Sequence, residues 1–169
     1  MTMSADDVVE VVCAIDAAGV DVWLDGGWGV DALLETETRA HDDLDVVMRF
    51  KDIERFDAAL APFGYVLVKR WPDSPEGYVL GDPQDRRVDV HPVHFQENGD
   101  AIQRLTKGTW TFPAAGFDGR GTVGGREIRC LTAEVQVLCH AGYELDDEDR
   151  RDMRALHETF GVELLPGQR

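Results

Sequence analysis

The chain has 169 residues, and its 33 Asp and Glu residues outnumber its 17 Lys and Arg residues, so the formal net charge is −16. The length is typical of one domain with a sizeable core. Because strong negative charge repels phosphate backbones and anionic lipid surfaces, we expect neither nucleic acid nor membrane as a partner, whereas a cationic small molecule would suit the charge. With 43% hydrophobic residues, the composition is that of a globular protein and not of a disordered one.

The cysteine pattern and the N-terminal sequence both favour a cytoplasmic protein. Cys13, Cys130 and Cys139 are odd in number and lack close paired spacing. Residues 1–10 have neither the basic start nor the long apolar run of a secretory signal. The sequence also has no apolar run of the about 18–20 residues that span a bilayer. We therefore predict a cytoplasmic location.

The first fifty residues alternate between helical and strand patterns. Ser4 precedes two aspartates and an apolar helical spacing, which predicts a capped helix that ends at Gly19. The elements predicted next are a strand at 20–24, a glycine turn at 25–27, a helix at 28–34 and a strand at 43–48.

The rest of the chain reads as a small sheet followed by helices. Gly64 ends a helical spacing that starts at Lys51, and Gly124-Gly125 is the predicted turn of a hairpin at 122–129. The other predicted elements are strands at 65–71, 78–80 and 87–93 and a final helical region at 132–160 that splits near Asp146.

These elements predict an α/β (α+β) fold with a small mixed or antiparallel sheet flanked by helices. We place an α/β lobe at residues 1–130 and a short C-terminal helical tail at 131–169. The tail is expected to pack on the lobe, so that the whole chain forms a single domain.

Two carboxylates, Asp43 and Asp45, lie on one face of a predicted strand. Residues i and i+2 of a strand point the same way and are roughly 6.5–7 Å apart, so this pair can hold a divalent metal. Acidic pairs at this spacing are common in so acidic a chain, and a solvated acidic edge is the simpler interpretation.

The sequence around the pair favours the functional interpretation. Asp43-Leu44-Asp45-Val46-Val47 mixes acids into an apolar strand, where carboxylates cost free energy unless their charge is compensated. Asp89 is a third acid in another apolar strand and can join the pair if the two strands are neighbours. Three convergent carboxylates are the ligands that two magnesium ions prefer, and they leave positions open for phosphate oxygens.

Gly26-Gly27, between a predicted strand and a predicted helix, suits phosphate binding. Glycine lets the backbone come close to a ligand, and a helix N-terminus directs free N–H groups at phosphate. No Gly-Lys-Ser/Thr follows, so this is not a P-loop. A Gly-Gly pair alone is most often only a turn, but here the acidic pair follows within about 20 residues.

These residues resemble a known family. Gly26-Gly27-Trp28, Asp43-Leu44-Asp45 and the later Asp89 are similar to the motifs of DNA polymerase β-like nucleotidyltransferases. Longer segments look like the small antibiotic nucleotidyltransferases, namely the lincosamide enzymes and the aminoglycoside 2″-adenylyltransferase group. These segments are Trp23-Leu-Asp-Gly-Gly-Trp-Gly-Val-Asp31, Thr38-Arg-Ala-His-Asp-Asp-Leu-Asp45 and Val88-Asp-Val-His-Pro92. The resemblance extends from about residue 20 to residue 143.

The resemblance implies transfer of a nucleoside monophosphate, usually AMP from ATP, to a hydroxyl of an antibiotic, with pyrophosphate as the leaving group. It implies that Asp43 and Asp45 bind magnesium and that Asp89 completes the metal site and acts as general base. Gly26 and Gly27 would approach the triphosphate. Because a metal lowers the pKa of a carboxylate beside it, Asp89 can be a base only if its free oxygen faces the acceptor.

Several residues near the acids have more than one possible role. Arg39 is either a triphosphate contact, through its bidentate fork, or an exposed charge on a loop. His41 is either part of the site or simply paired with one of the neighbouring acids. We expect Asp31 to hydrogen-bond within the lobe, outside the site. Trp28 is expected in the core, with a place in the nucleotide pocket as the alternative.

Other interpretations carry less support. A zinc site would draw on His91, His94 and the cysteines, but the cysteines are scattered and there is no Cys-x-x-Cys. The acidic run at 146–149 is most simply the first turn of a helix.

The acceptor and the assembly stay open. Net charge favours a polycationic aminoglycoside, whereas the short length and Asp89-Val-His-Pro92 look more like the lincosamide group. The rival functions are a non-catalytic nucleotide- or drug-binding protein of the same fold and a transferase for a non-antibiotic acceptor. A second subunit that helps to form the acceptor site is suggested by the resemblance alone, as a possible homodimer.

Overall fold

The computed structural model describes residues 2–168, and its elements follow the predicted order with two additional strands. The helices are α1 (Ala5–Ala17), α2 (Gly26–Leu34), α3 (Ile53–Leu60), α4 (Ala133–Cys139) and α5 (Asp147–Phe160). The strands are β1 (Val22–Asp25), β2 (Asp43–Arg49), β3 (Val66–Arg70), β4 (Tyr78–Gly81), β5 (Arg87–Phe95), β6 (Ala101–Leu105), β7 (Gly108–Phe112), β8 (Arg120–Val123) and β9 (Arg126–Arg129).

The central sheet is mixed, as predicted, with the order β1-β2-β5-β4-β3. Strands β2 and β5 pair in parallel, and the other neighbours in this order pair antiparallel. The C-terminal end of β5 also pairs with β6, and β6 pairs with β7. The sequence pattern did not predict β6 and β7, because Ala101-Ile-Gln-Arg-Leu105 mixes apolar and polar residues without strong alternation.

Side-chain alternation along β2 and β5 gives the sheet two different faces. Leu44, Val46 and Met48 of β2 belong to a buried cluster with residues of α1 and α3. Val47 and Val93 on the opposite face belong to a second cluster that includes aromatic side chains from β1, β7 and residue 117. This second cluster covers the face near the C-terminal ends of β2 and β5, and the polar residues near their N-terminal ends lie outside it.

The predicted helix start and hairpin turn are both confirmed. Ser4 and Asp7 form a capping box at α1, in which each side chain accepts a hydrogen bond from the backbone of the other residue. Gly124 and Gly125 join β8 to β9 with φ angles of 57° and 76°, a conformation that favours glycine. In residues 2–168, no helix is long and apolar enough to cross a membrane.

The C-terminal helices pack against α2. Met153 and Leu156 of α5 and Val137 of α4 share a buried cluster with Val30 of α2. Asp146 caps α5 by accepting hydrogen bonds from two backbone N–H groups of its first turn, as expected for the acidic run. The division of the chain at residue 130 stays a prediction.

Candidate active site

A cleft of about 350 Å³ opens where β1 ends and β2 begins, beneath the segment that joins α4 to α5. Its lining includes five of the six residues that the sequence predicted for the site, namely Gly26, Gly27, Arg39, Asp43 and Asp45. A larger cavity of about 430 Å³ beside β9 contains none of them. Chemistry rather than size therefore identifies the candidate site.

Strand register brings the acids together. Asp45 lies opposite Asp89 in the parallel pair β2–β5, and Asp25 lies opposite Asp45 in the antiparallel pair β1–β2. Directly paired residues point to the same face of a sheet, so three adjacent strands each contribute one carboxylate there. The neighbouring position that the sequence required of Asp89 is confirmed.

The most compact group is not the predicted trio of acids. Ligand atoms of Asp45, Asp89 and His91 all lie within 4.8 Å of one another. Asp43 is exposed at the start of β2, two residues before Asp45 and on the same face, and it also lines the cleft. His91 thus joins Asp45 and Asp89 in this group, and the metal set of Asp43, Asp45 and Asp89 stays a prediction.

Like charges make this cluster electrostatically costly. Partial desolvation beside the cleft, together with the charges of Asp45 and Asp89, raises the pKa of Asp43 to about 6. Burial also raises the pKa of Asp89, against the lowering effect of His91 and of a hydrogen bond from Trp71. The pKa of Asp25 is raised chiefly by burial. A bound cation would relieve this excess of negative charge.

His91 is a site residue that the sequence interpretation considered only for zinc. Its Nε2 atom lies 3.4 Å from Asp45 Oδ1 and 3.7 Å from Asp89 Oδ1. Burial lowers the pKa of His91, but the hydrogen bond with Asp45 and the nearby carboxylates outweigh this effect and raise it to about 9. The available signal was its position two residues after Asp89, which places both side chains on one face of β5.

The two glycines serve close packing inside the protein. Helix α2 begins directly at Gly26, with Asp25 as its N-cap, so the predicted separate turn before a helix at Trp28 is wrong. The turn is absent because the Asp25 carboxylate accepts the Gly26 N–H at 2.9 Å and starts the helix there. A Cβ atom at Gly26 would collide with the Asp45 carboxylate, and one at Gly27 would collide with His41.

Arg39 is held at the wall of the cleft by α5. Its guanidinium donates to Asp152 Oδ2 at 3.0 Å and lies 3.0 Å from Glu148 Oε2. With 20% of its side chain exposed, Arg39 is not the freely exposed loop charge of the simpler interpretation. It faces the cleft, and a triphosphate contact stays a prediction.

The residues around Arg39 form a buried hydrogen-bond network. The Asp31 carboxylate accepts from the Thr38 hydroxyl at 2.6 Å and from the Thr38 N–H at 3.0 Å, and it lies 2.6 Å from His41 Nε2. Asp31 therefore hydrogen-bonds within the lobe, as expected. His41 pairs with Asp31 rather than with an acid beside it in sequence, and Trp28 is buried with its ring 4.7 Å from that of His41.

The residues considered for zinc do not converge. His94 pairs with Glu76 at 2.8 Å, on the face of β5 opposite His91. Cys130 is fully buried beside β1, whereas Cys139 lines the cleft. Within residues 2–168, the group suited to a metal ion is the carboxylate cluster with His91.

Comparison with known proteins identifies the family of this chain. The family model described as aminoglycoside-2''-adenylyltransferase matches residues 7–156. The chain belongs to this family. It is a nucleotidyltransferase, and the residues that carry the predicted resemblance all lie within the matched segment.

Individual relatives of this nucleotidyltransferase agree with the family match. A lincosamide resistance protein from Staphylococcus haemolyticus is 30% identical over 138 residues, which cover 81% of this chain and 84% of the relative. A 2''-aminoglycoside nucleotidyltransferase from Escherichia coli is 26% identical over 128 residues, which cover 76% and 67%, respectively.

Solved structures confirm the predicted fold of this nucleotidyltransferase. The lincomycin-bound lincosamide antibiotic adenylyltransferase LnuA aligns with a TM-score of 0.80 and 27% identity, covering 92% of this chain and 98% of that one. The enzyme ANT(2'')-Ia in complex with adenylyl-2''-tobramycin aligns with a TM-score of 0.75 and 18% identity, covering 93% and 89%. The second likeness concerns the fold alone.

Proposed function

We propose that this nucleotidyltransferase transfers AMP from ATP to a hydroxyl of a lincosamide or aminoglycoside antibiotic, with release of pyrophosphate, and thereby inactivates the drug. The observation that carries this proposal is the alignment of Asp45 with Asp89 across β2 and β5, beside the N-terminus of α2. The names of the relatives supply the acceptor class.

The carboxylates fit the magnesium ions that such a transfer requires. Asp43, Asp45 and Asp89 offer the hard oxygen ligands that magnesium prefers, and their mutual repulsion favours a bound cation. We assign the metal to these three residues because the imidazole nitrogen of His91 is a poorer ligand for magnesium. When bound, magnesium neutralises phosphate oxygens and the leaving pyrophosphate.

The chain's own residues supply proton transfer and positioning. In the proposed reaction, the acceptor oxygen forms a bond to the α-phosphorus while the bond from that phosphorus to the pyrophosphate oxygen breaks. Asp89 accepts the proton of the acceptor hydroxyl. Gly26 and Gly27, at the start of α2, let the backbone approach the triphosphate, and the guanidinium of Arg39 contacts it.

The walls of the cleft suit an acceptor with a basic amine. Asp25 and Asp149 line the cleft together with the partly exposed aromatic ring of Tyr143. Carboxylates attract an ammonium group, and an aromatic ring packs against the apolar face of a sugar. We test lincosamides first, since the lincosamide relatives match more of this chain at higher identity.

The deciding experiment measures pyrophosphate release from ATP, GTP, CTP and UTP, with magnesium, against a panel of lincosamides and aminoglycosides. We expect release from ATP that requires both an acceptor and Asp45, with Asp45→Asn as the inactive control. Acceptor binding by folded protein without any release would instead favour the non-catalytic binder, and release with non-antibiotic acceptors alone would favour the other rival. The homodimer and the cytoplasmic location stay predictions.

A further inference from the structure

The carboxylate of Asp89 accepts a hydrogen bond from an indole. Trp71 Nε1 donates a hydrogen bond to Asp89 Oδ1 at 2.7 Å. His91 Nε2 lies 3.7 Å from the same oxygen. The hydrogen bond from Trp71 to Oδ1 restrains rotation of the Asp89 carboxylate. Asp89 is 6% exposed, so its carboxylate has little room to rotate.

Trp71 is itself fixed by its surroundings. It follows β3 directly, and its backbone N–H donates to the Gly77 carbonyl at 3.2 Å across the base of the β3–β4 connection. The ammonium of Lys69 lies 3.4 Å from the centre of the Trp71 ring. This cation–π contact restrains the ring at its face.

The connection between β3 and β4 is anchored on β6 and the turn that follows it. The Thr106 hydroxyl donates to the Pro72 carbonyl at 2.9 Å, and the Thr106 N–H donates to the Asp73 carbonyl at 2.8 Å. Thr106 lies just after β6, so the connection cannot shift without breaking contacts to a second part of the sheet.

The same connection also supports His91. Gln103 of β6 is 8% exposed, and its Nε2 atom lies 3.3 Å from Ser74 Oγ and 3.3 Å from His91 Nδ1. Trp71 and Gln103, two side chains from outside the cleft, thus contact Asp89 and His91 of β5.

We propose that Trp71 is a positioning residue of the transferase reaction, because its indole N–H fixes the orientation in which the Asp89 carboxylate meets the acceptor hydroxyl. This inference rests on the proposed function, in which Asp89 is the base. Misplacing a reacting group by about 1 Å can cost about 100-fold in rate, and losing a partner of a metal-ligating side chain costs about 10–100-fold. The effect belongs to kcat, since Trp71 is not expected to contact either substrate.

Trp71→Phe is the direct test, because it keeps an aromatic ring for Lys69 and removes only the N–H donor. We expect kcat to fall about 10–100-fold while KM for the nucleotide and for the acceptor each change by less than about 2-fold. Trp23→Phe is the matched control, since Trp23 donates a 2.9 Å hydrogen bond to the Phe117 carbonyl inside the hydrophobic cluster. That variant is expected to lose stability and to keep kcat per folded molecule. Unchanged kcat in Trp71→Phe, or equal losses in the two variants, would overturn the proposal.

A second measurement needs neither turnover nor the Trp71 variant. The indole N–H resonances of the four tryptophans can be followed in a ¹H–¹⁵N spectrum. We expect Asp89→Asn to move the Trp71 indole proton upfield, because a bond to a neutral amide is weaker than one to a carboxylate. A Trp71 resonance that does not respond to Asp89→Asn would refute the hydrogen bond.

The two proposals can fail separately. If wild-type protein releases no pyrophosphate with any acceptor, the proposed function fails. If wild-type protein turns over and Asp89→Asn does not, while Trp71→Phe keeps full kcat, only the role of Trp71 fails.

Discussion

Asp45 lies between the other acids of the cleft. It lies directly opposite Asp89 of β5 and Asp25 of β1 in the sheet. Its carboxylate leaves no room for a side chain at Gly26. Such a residue serves function at a cost in stability, since three carboxylates on one face repel one another. Removing its charge should therefore affect activity and stability in opposite directions.

Asp45→Asn is expected to lower kcat/KM by at least about 100-fold, because it removes a proposed metal ligand and a charge that holds His91. The melting temperature without metal should stay the same or rise, since like-charge repulsion falls. Asp42→Asn makes the same charge change at an exposed neighbouring position and serves as the control. Near-wild-type turnover in folded Asp45→Asn would contradict the assignment.

Gly26→Ala is expected to reduce both stability and turnover. The substitution adds a Cβ that meets the Asp45 carboxylate, at a residue whose φ is +56°. Gly125→Ala is the matched control, because Gly125 has a φ of +76° and a Cβ there meets nothing within 4 Å. Both variants should lose about 1–2 kcal/mol from the unfavourable φ, as measured by urea denaturation. Only Gly26→Ala should lose activity, and full activity in that variant would show that Asp45 can move without consequence.

At the scale of elements, two ion pairs of Arg39, with Asp152 and Glu148, connect α5 to the segment before β2. Asp152 is 4% exposed, and burial raises its pKa, so its carboxylate depends on Arg39 for compensation. Arg39 lies only two residues from His41, which the Asp31 network fixes. Helix α5 thus helps to shape the cleft from outside the sheet.

Asp152→Ala should destabilise the fold by about 1–3 kcal/mol, because it leaves the partly buried guanidinium of Arg39 without its buried partner. Glu148 is the other partner of Arg39, and the Glu148 side chain is 55% exposed. Glu148→Ala should therefore lower the free energy of unfolding by less than about 1 kcal/mol. Urea denaturation of both variants measures the difference. Equal losses would show that burial of Asp152 contributes nothing to the attachment of α5.

The outlines of most elements were predictable because they depend on local periodicity. The helix from Ser4, the hairpin at Gly124 and the split at Asp146 each depend on residues within a few positions of one another. Strands β6 and β7 were missed because their apolar side chains are buried by tertiary contacts with the aromatic cluster that includes Phe112 and Phe117, and local alternation does not show these contacts. The start of α2 was misplaced because glycines lower helix propensity, while the capping contact of Asp25 outweighs this effect.

At the scale of the whole molecule, a net charge of −16 and a cluster of close carboxylates both favour cation binding to the folded chain. Any cation that binds the folded chain more strongly than the unfolded chain stabilises it. Screening by salt has a similar but nonspecific effect on a chain of such high charge. The two effects can be separated by comparing magnesium with sodium.

Millimolar magnesium chloride should raise the melting temperature more than sodium chloride of the same ionic strength. A metal ion at a concentration 100 times its dissociation constant adds about 2.7 kcal/mol to the free energy of unfolding. Each 1 kcal/mol of added stability raises Tm by about 2–4 °C for a chain of this size. The magnesium-specific increase should disappear in Asp45→Asn and persist in Asp42→Asn. Equal increases with both salts would argue against a specific metal site.

The sequence by itself determined the alternation that puts Asp43 and Asp45 on one face of a strand, the glycines beside them and the apolar strand around Asp89. These features depend on neighbours a few residues apart, whose relative directions the backbone geometry fixes. Only the tertiary structure decided that β2 and β5 pair in parallel with Asp45 opposite Asp89, that His91 joins them, and that Trp71 and α5 support the cleft. Those contacts join residues far apart in sequence, and their register is set by burial of the hydrophobic faces, which no local pattern specifies.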